Sequence, residues 1–206
     1  MVKVNDEPKS YEALEELSEI VKKVHGNRSI EFGMFLVKKG KAKGHFEKYG
    51  EAVGEVEAGI EIMIEKKWKE KEKIAEIYLT LASFYRRSSQ WEQEYTALIC
   101  AQAMIRQLSA NEKNLIRVIH MLVANLEQRQ ETERAISELK RVEALEKQVY
   151  GESSVQISKT IKKIIRLLGE VNDTKESKKY EQEYRRIMGI LGEERQKVLL
   201  EIPHNC

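Results

Sequence analysis

Four histidines and two cysteines are the side chains of this sequence best suited to hold a metal ion or to act as nucleophiles. A zinc site needs such ligands at close spacing, as in the helical H-E-x-x-H pattern or a histidine combined with nearby cysteines. No such spacing occurs, and the apolar neighbours of Cys100 favour a small buried residue over a nucleophile. The sequence therefore predicts neither a zinc site nor a catalytic cysteine. The six residues are His25, His45, His120, His204, Cys100 and Cys206.

The glycine-rich segment GKAKG, residues 40–44, is the only stretch that resembles a phosphate-binding loop. Such a loop follows a strand and ends in Gly-Lys-Ser or Gly-Lys-Thr, because its amides, lysine and hydroxyl contact phosphate and magnesium. Residues 40–44 have neither feature, so we predict that these glycines let helices pack closely. Carboxylates elsewhere alternate with lysines as on solvated helix faces, without a catalytic triad or a paired-acid site. We therefore predict that the protein is not an enzyme and binds no cofactor or metal ion.

The composition indicates a folded chain with a balanced charge. Charged residues make up 34% of the 206 residues and hydrophobic residues 41%, which is too apolar for general disorder. The net charge is only +2, whereas duplex-DNA-binding proteins are usually more basic. Two cysteines cannot build a disulfide framework, and the segment MVKVNDEPKS lacks the apolar stretch of a signal peptide. Since no apolar run approaches the ~20 residues that span a bilayer, we expect a soluble cytoplasmic protein.

Helical periodicity runs through the whole chain. Proline occurs only at Pro8 and Pro203, and no glycine or proline lies between Ile60 and Tyr150. Apolar residues recur at steps of three and four, as in the stripes Leu115, Ile119, Leu122, Leu126 and Ile157, Ile161, Ile164, Leu168. We predict an all-α protein, although 49–87 could form one long helix instead of two. The predicted helices span 8–25, 28–46, 49–66, 72–87, 90–107, 111–128, 131–148, 153–168 and 173–200.

Capping sequences predict where several helices begin. Each places a short oxygen-bearing side chain three residues before a glutamate, so that the two side chains can satisfy each other's backbone amides. The three candidates start at Ser89, Ser109 and Asp173.

The predicted helix starts recur at a nearly constant spacing. Tyr49, Trp91, Thr132 and Thr174 begin alternate helices and are separated by 42, 41 and 42 residues. A period of this length built from helix pairs is typical of an α-solenoid, in which stacked neighbours bury the apolar faces that one pair cannot bury alone.

The stretch from Tyr78 to Ala101 resembles a tetratricopeptide repeat (TPR). Its first helix has the family's aromatic, leucine, small and aromatic residues, and its second helix has matching large and small residues. Glu94 departs from the pattern because a small residue is expected there. The matching positions are Tyr78, Leu81, Ala82 and Tyr85, followed by Trp91, Leu98 and Ala101.

The period of about 42 residues and the stretch YGESSVQISKTIKKI, residues 150–164, are most similar to kinesin-light-chain repeats. The resemblance implies antiparallel helix pairs stacked into a right-handed α-solenoid. We expect a single domain, 1–206, of about four repeats, with 8–25 as a half-repeat and 173–200 as a capping helix. A generic helical bundle with coincidental spacing remains the alternative.

The resemblance also implies that the first helix of each pair lines a concave groove that binds peptides or helices. Cations outnumber the acids Glu76, Glu127 and Glu170 at these positions, so we hypothesise an acidic peptide ligand. An ordinary solvated helix face is the alternative. The predicted groove residues are Lys41, His45, Leu79, Ser83, Arg86, Arg87, Arg117, His120, Lys159, Lys162 and Arg166.

These observations predict an adaptor or scaffold for protein partners. The kinesin-light-chain resemblance implies a cytoskeletal or ciliary setting, and an acidic tubulin-like tail would suit a basic groove. A structural subunit that binds through its outer faces is the alternative. RNA binding is less favoured, because the groove changes character between repeats and its aromatic residues are assigned to the core. The sequence leaves the oligomeric state and the partner's identity open.

Overall fold

Helices account for all the regular structure in the described part of the chain. The computed structural model describes the backbone of residues 7–108 and 111–201 and the side chains of 9–108 and 111–193. Within these ranges it contains nine α-helices and no strand, which confirms the predicted all-α class. The helices are α1 (Glu7–His25), α2 (Ile30–His45), α3 (Tyr49–Glu65), α4 (Lys71–Arg87), α5 (Trp91–Ile105), α6 (Glu112–Gln128), α7 (Thr132–Tyr150), α8 (Val155–Glu170) and α9 (Thr174–Glu201).

A turn separates α3 from α4, so 49–87 forms two helices. Lys67 adopts the left-handed conformation with a φ of 52°, and its amide bonds the carbonyl of Ile64 at 2.9 Å. A left-handed residue cannot continue a right-handed helix. The lysine-rich and glutamate-rich segment around Lys67 gave no sign of this, because it contains no glycine, proline or asparagine.

The turns inside the helix pairs share one backbone conformation, which recurs at the predicted spacing of about 42 residues. Glu47, Ser89, Gln130 and Asn172 have φ values of 62°, 56°, 59° and 58°, and each lies two residues before the next helix begins. The residue after each one bonds a carbonyl in the last turn of the preceding helix, as Gln90 does with Tyr85 at 2.9 Å. This left-handed C-terminal cap usually contains glycine, yet none of the four positions does.

The cap geometry corrects one predicted helix start and confirms another. Ser89 belongs to the left-handed turn, so Gln90 is the residue before α5, and it makes no side-chain cap. Asp173 does cap α9, because its Oδ1 accepts from the amide of Glu176 at 3.0 Å. Ser109 lies outside the described residues.

The chain divides into two compact units, Met1–Ser109 and Ala110–Cys206, called here the first and second units. In the first unit each of the helices α1 to α5 packs on the next, and α2 also contacts α4. In the second unit α6 packs on α7, α7 on α8 and α8 on α9.

The residues that match the repeat pattern form the core of the first unit. Leu98 and Ala101 are fully buried, and Tyr85 is 6% exposed. Ala82 is fully buried as well, as the pattern of large and small residues predicts. Tyr78 is only partly buried.

Glycines bring α2 and α3 together, as predicted for the segment GKAKG. A Cβ atom on Gly40 would lie 2.6 Å from Val56 Cγ2 and 2.8 Å from the carbonyl oxygen of Ala52. A Cβ atom on Gly59 would lie 2.6 Å from the carbonyl oxygen of Gly33. Any side chain at these positions would therefore push the two helices apart.

The first helix presents an apolar stripe to solvent. Leu17 and Ile20, on which the half-repeat was predicted, are 47% and 55% exposed, and Ala13 is exposed too. Helix α1 instead contacts α2 and its C-terminal turn through Tyr11, whose ring centroid lies 5.7 Å from that of Phe46.

Aliphatic side chains form the core of the second unit. Ile157, Ile161 and Ile164 of α8 are fully buried, as their spacing predicts. Ile187 of α9 is also buried, and Tyr184 and Leu191 pack against the same cluster. Met188 of the same helix is 44% exposed. The side chain of Leu199 lies outside the described ones.

Candidate binding clefts

Helices α2 and α4 border a cleft of about 360 Å³ in the first unit, called here the basic cleft. Four predicted groove residues lie together in it: Lys41, His45, Ser83 and Arg87. The fold brings these four residues together, although they are separated by up to 46 positions in the sequence. The remaining lining residues are Gly44, Tyr49, Thr80 and Phe84.

The floor of the basic cleft is aromatic and its rim is cationic. The Phe84 ring packs on Tyr49, with ring centroids 6.1 Å apart, and Gly44 leaves no room for a side chain beside Phe84. Lys41 and Arg87 are exposed at the rim, and no carboxylate is present among the described lining residues. This arrangement suits a ligand with negative charge and a small apolar group.

Arg86, another predicted groove residue, forms an ion pair with Glu94 of α5. Its guanidinium donates to Glu94 Oε1 at 2.6 Å, and the Glu94 side chain is fully buried. Glu94, which departs from the repeat pattern, is therefore buried with a cationic partner, as a buried carboxylate requires. Leu79 is partly buried.

In the second unit the predicted groove residues differ in what they contact. Arg117, Lys159 and Lys162 are exposed. Arg166 pairs with Glu127 and, at 2.6 Å, with Glu170, so two predicted groove acids offset its charge. The positive face of α8 is therefore carried mainly by its two exposed lysines.

His120 also belongs to the predicted groove of the second unit. Its Nε2 lies 3.0 Å from Glu146 Oε1, and the Glu146 side chain is only 3% exposed. His120 thus links α6 to α7 through a buried carboxylate.

A larger cleft, of about 850 Å³, lies between α3 and α5 with α4 at its base. It is called here the acidic cleft, and the sequence analysis did not predict it. The sequence feature that points to this cleft is the four-residue spacing of the glutamates on α3. Its lining residues are Glu57, Ile60, Glu61, Ile64 and Glu65 of α3; Tyr78, Leu81 and Tyr85 of α4; and Glu92, Gln93, Thr96, Ala97 and Cys100 of α5.

Two tyrosines at the base of the acidic cleft remain neutral. Burial, together with the neighbouring Cys100, raises the pKa of Tyr78 to about 12. Burial and the adjacent carboxylate of Glu57 also raise the pKa of Tyr85, whose hydroxyl donates to Glu57. Both phenols therefore keep their protons at physiological pH and can donate hydrogen bonds.

Two almost buried lysines connect the first three helices, a feature that the sequence analysis missed. Lys39 Nζ lies 2.7 Å from Glu15 and 3.0 Å from Glu55. Lys43 Nζ lies 2.9 Å from Glu55 and 3.2 Å from Glu51. Burial acts to raise the pKa of Glu55, but hydrogen bonds from both lysines outweigh it and lower that pKa. The charges in this cluster pair with one another, so the cluster stabilises the packing of α1, α2 and α3.

Neither a metal centre nor a membrane-spanning helix is found in the described parts of the chain. No group of three or more His, Cys, Asp or Glu side chains among these residues is arranged to hold an ion. No described helix is both long enough and apolar enough to cross a bilayer.

Solved structures with similar folds are TPR-like repeat proteins. No family model matches the sequence, and no curated protein matches it significantly. The structure of a kinesin light chain with nearly identical TPR-like repeats from Podosopora anserina superposes with a TM-score of 0.69 at 16% identity, covering 89% of this chain and 88% of that one. BtubC (BKLC) from P. vanneervenii gives a TM-score of 0.66 at 14% identity, covering 91% and 75%.

The apo form of RapI is similar as well, with a TM-score of 0.68 at 16% identity, covering 88% of this chain and 49% of RapI. At these identities the similarity establishes the fold alone. The chain has a TPR-like repeat fold, which confirms the resemblance drawn from Tyr78 to Ala101.

Proposed function

We propose that this protein is a non-enzymatic adaptor that binds an acidic peptide in the basic cleft. The observation that carries the proposal is the convergence of Lys41, His45, Ser83 and Arg87 on one cleft. Their side chains come from two different helices, so they provide donors on both sides of an extended ligand. A peptide carboxylate can pair with Arg87 in a bidentate manner, whereas Lys41 acts as a point charge.

The exposed lysines of α8 provide a second, weaker attraction for acidic ligands. Lys159 and Lys162 lie seven and four residues before Arg166, whose charge is already offset by Glu127 and Glu170. Exposed charges of this kind accelerate association and are screened by salt. They contribute less to affinity than charges inside a cleft, where part of the surrounding water is removed.

The proposed setting is cytoplasmic and cytoskeletal or ciliary. The similarity to a kinesin light chain and to BtubC concerns the fold, and it supports this setting as a proposal only. Among acidic peptides, a glutamate-rich tail of the tubulin type is the candidate ligand, because its charge complements Lys41 and Arg87.

Binding of a fluorescein-labelled glutamate-rich peptide tests the proposal by fluorescence anisotropy. We expect Lys41→Glu combined with Arg87→Glu to weaken binding at least about tenfold, which corresponds to ~1.4 kcal/mol. Lys159→Glu combined with Lys162→Glu is the matched control and should weaken it less. Added salt should weaken binding to the unaltered protein. Equal affinities for all three proteins would refute the basic cleft as the binding site.

The second candidate function is that of a structural subunit that binds through its outer faces. The exposed stripe of Leu17, Ile20 and Val24 on α1 favours it, because large apolar side chains in a row usually mark a contact surface. Leu17→Ser with Ile20→Ser separates the two functions. These changes should release an assembly partner yet leave binding of the glutamate-rich peptide unaltered.

A further inference from the structure

The acidic cleft combines an apolar base with a carboxylate rim. Leu81 and Ala97 close its base, and Ile64 stands at its edge with 55% of its surface exposed. Apolar surface in a concave site favours a partner's apolar side chain, because binding then removes the apolar surface of both molecules from water.

The charge of this cleft has a single sign. Four glutamates line it, Glu57, Glu61 and Glu65 on α3 and Glu92 on α5, and no lysine or arginine occurs among the described lining residues. One of the four, Glu65, pairs with Arg28, whose Nε lies 3.4 Å from Glu65 Oε2. Both side chains of that pair are well exposed, so it offsets little of the negative potential.

The spacing of the glutamates selects a helical ligand. Glu57, Glu61 and Glu65 follow one another at four-residue intervals, which places them about 6 Å apart along α3. Basic residues at four-residue intervals on a second helix have the same separation, so each can face one glutamate when that helix lies along α3. Apolar residues on the adjacent face of the second helix would then reach Ile64 and the base of the cleft.

We propose that the acidic cleft binds a cationic amphipathic helix from a partner protein, with lysines or arginines along the glutamates and apolar side chains in the cleft. This site is independent of the basic cleft. The two use different faces of α4, one with Tyr78, Leu81 and Tyr85 and the other with Ser83 and Arg87. Their rims carry opposite charges, so they select opposite ligands.

A random-peptide phage library panned on the full chain tests the site without assuming a partner. We expect selected peptides that combine lysine or arginine at four-residue intervals with apolar residues. A synthetic peptide of the selected sequence should lose at least about tenfold in affinity on Glu61→Lys with Ile64→Ser. Both residues are exposed, so these changes leave the core intact.

Lys41→Glu with Arg87→Glu is the matched control, and it should leave this peptide's affinity unchanged. The glutamate-rich peptide used for the basic cleft should show the reverse pattern. Failure of one site is therefore distinguishable from failure of the other.

The alkylation rate of Cys100 reports whether the peptide binds in the acidic cleft, because Cys100 lines this cleft and is partly exposed. In a Cys206→Ser background, saturating peptide should slow alkylation of Cys100 at least about fivefold, as expected when binding excludes the reagent. Selected peptides that are acidic, that ignore Glu61→Lys with Ile64→Ser, or that leave Cys100 alkylation unchanged would overturn the proposal.

Discussion

The first and second units use the same helix-pair geometry but pack their helices by different means. In the first unit, Gly40 and Gly59 bring α2 against α3, and Lys39 and Lys43 enter the protein to reach Glu55. In the second unit, the isoleucines and leucines of α8 fill the space between helices. Its lysines stay nearer the surface, as in the pair Lys140–Glu176, where both side chains are more than a third exposed.

This difference shows that the repeat geometry does not depend on one kind of contact. The turns within the helix pairs are the same in both units, with a left-handed residue two positions before each second helix. Close approach through glycine and filling with branched side chains are alternative ways to complete the same pair of helices. Both clefts described above are lined by residues of the first unit.

The largest expected effect is in the core of the second unit. Ile161→Ala removes buried methyl and methylene groups from the cluster with Ile157 and Ile187, and should lower the free energy of unfolding by about 2–5 kcal/mol. Urea denaturation followed by circular dichroism measures it. Val155→Ala is the control, because Val155 begins the same helix and is 51% exposed. Similar losses for both variants would contradict the proposed core.

The ion pair between Arg86 and the fully buried Glu94 comes next. Arg86→Ala removes a partner of the fully buried Glu94 carboxylate, and should cost about 3 kcal/mol. Adding Glu94→Ala should restore much of that loss, because the buried charge is then gone. Lys140→Ala in the second unit should cost less than ~1 kcal/mol, since both side chains of its pair with Glu176 are more than a third exposed. Strictly additive losses at Arg86 and Glu94 would refute the coupling.

Replacing glycine with alanine should change the stability of the protein in opposite directions at two positions of the first unit. Gly40→Ala should destabilise the protein by about 1–3 kcal/mol, because its Cβ would overlap Val56 and the carbonyl of Ala52. Gly54→Ala in α3 should stabilise it by about 0.5–1 kcal/mol, since a Cβ there meets nothing within 4 Å and alanine favours helix. Thermal unfolding of both variants measures the difference, and equal shifts would argue against close packing of α2 on α3.

The smallest expected effect is on the pH dependence of stability. The pKa of Glu55 lies below its ordinary value of 4.5 in the folded protein. The stability that its ion pairs supply is therefore present above pH 4.5 and is lost as the pH falls through the folded-state pKa. Glu55→Gln should lower stability at neutral pH but make the acid loss less steep. Urea denaturation at a series of pH values measures the slope, and an unchanged slope would contradict this assignment.

The sequence was sufficient for the fold because its signals are local and repeated. The stripe Ile157, Ile161, Ile164 and Leu168 needed only helical spacing, and the resemblance from Tyr78 to Ala101 needed only one well-matched repeat. The turn at Lys67 was left open because no glycine or proline marks it. Ser89 was wrong as a cap because a left-handed C-terminal turn and an N-cap compete for the same short segment.

The clefts were predictable only in part. Lys41, His45, Ser83 and Arg87 follow from the repeat register, which assigns equivalent faces of α2 and α4 to one side. The orientation of the Arg86 side chain depends on its ion pair with Glu94 in the next helix. The periodicity of apolar residues within a helix does not predict such pairs between helices. The acidic cleft depends on three helices whose side chains leave space between them, so no single segment reveals it.

Amide NMR spectra of the full chain, titrated with the glutamate-rich peptide, test the central claim most directly. We predict that the largest shifts fall on Lys41, His45, Ser83 and Arg87 in the first unit, with smaller shifts at Lys159 and Lys162. Shifts confined to α8, or none anywhere in α2 and α4, would contradict the basic cleft as the site of recognition.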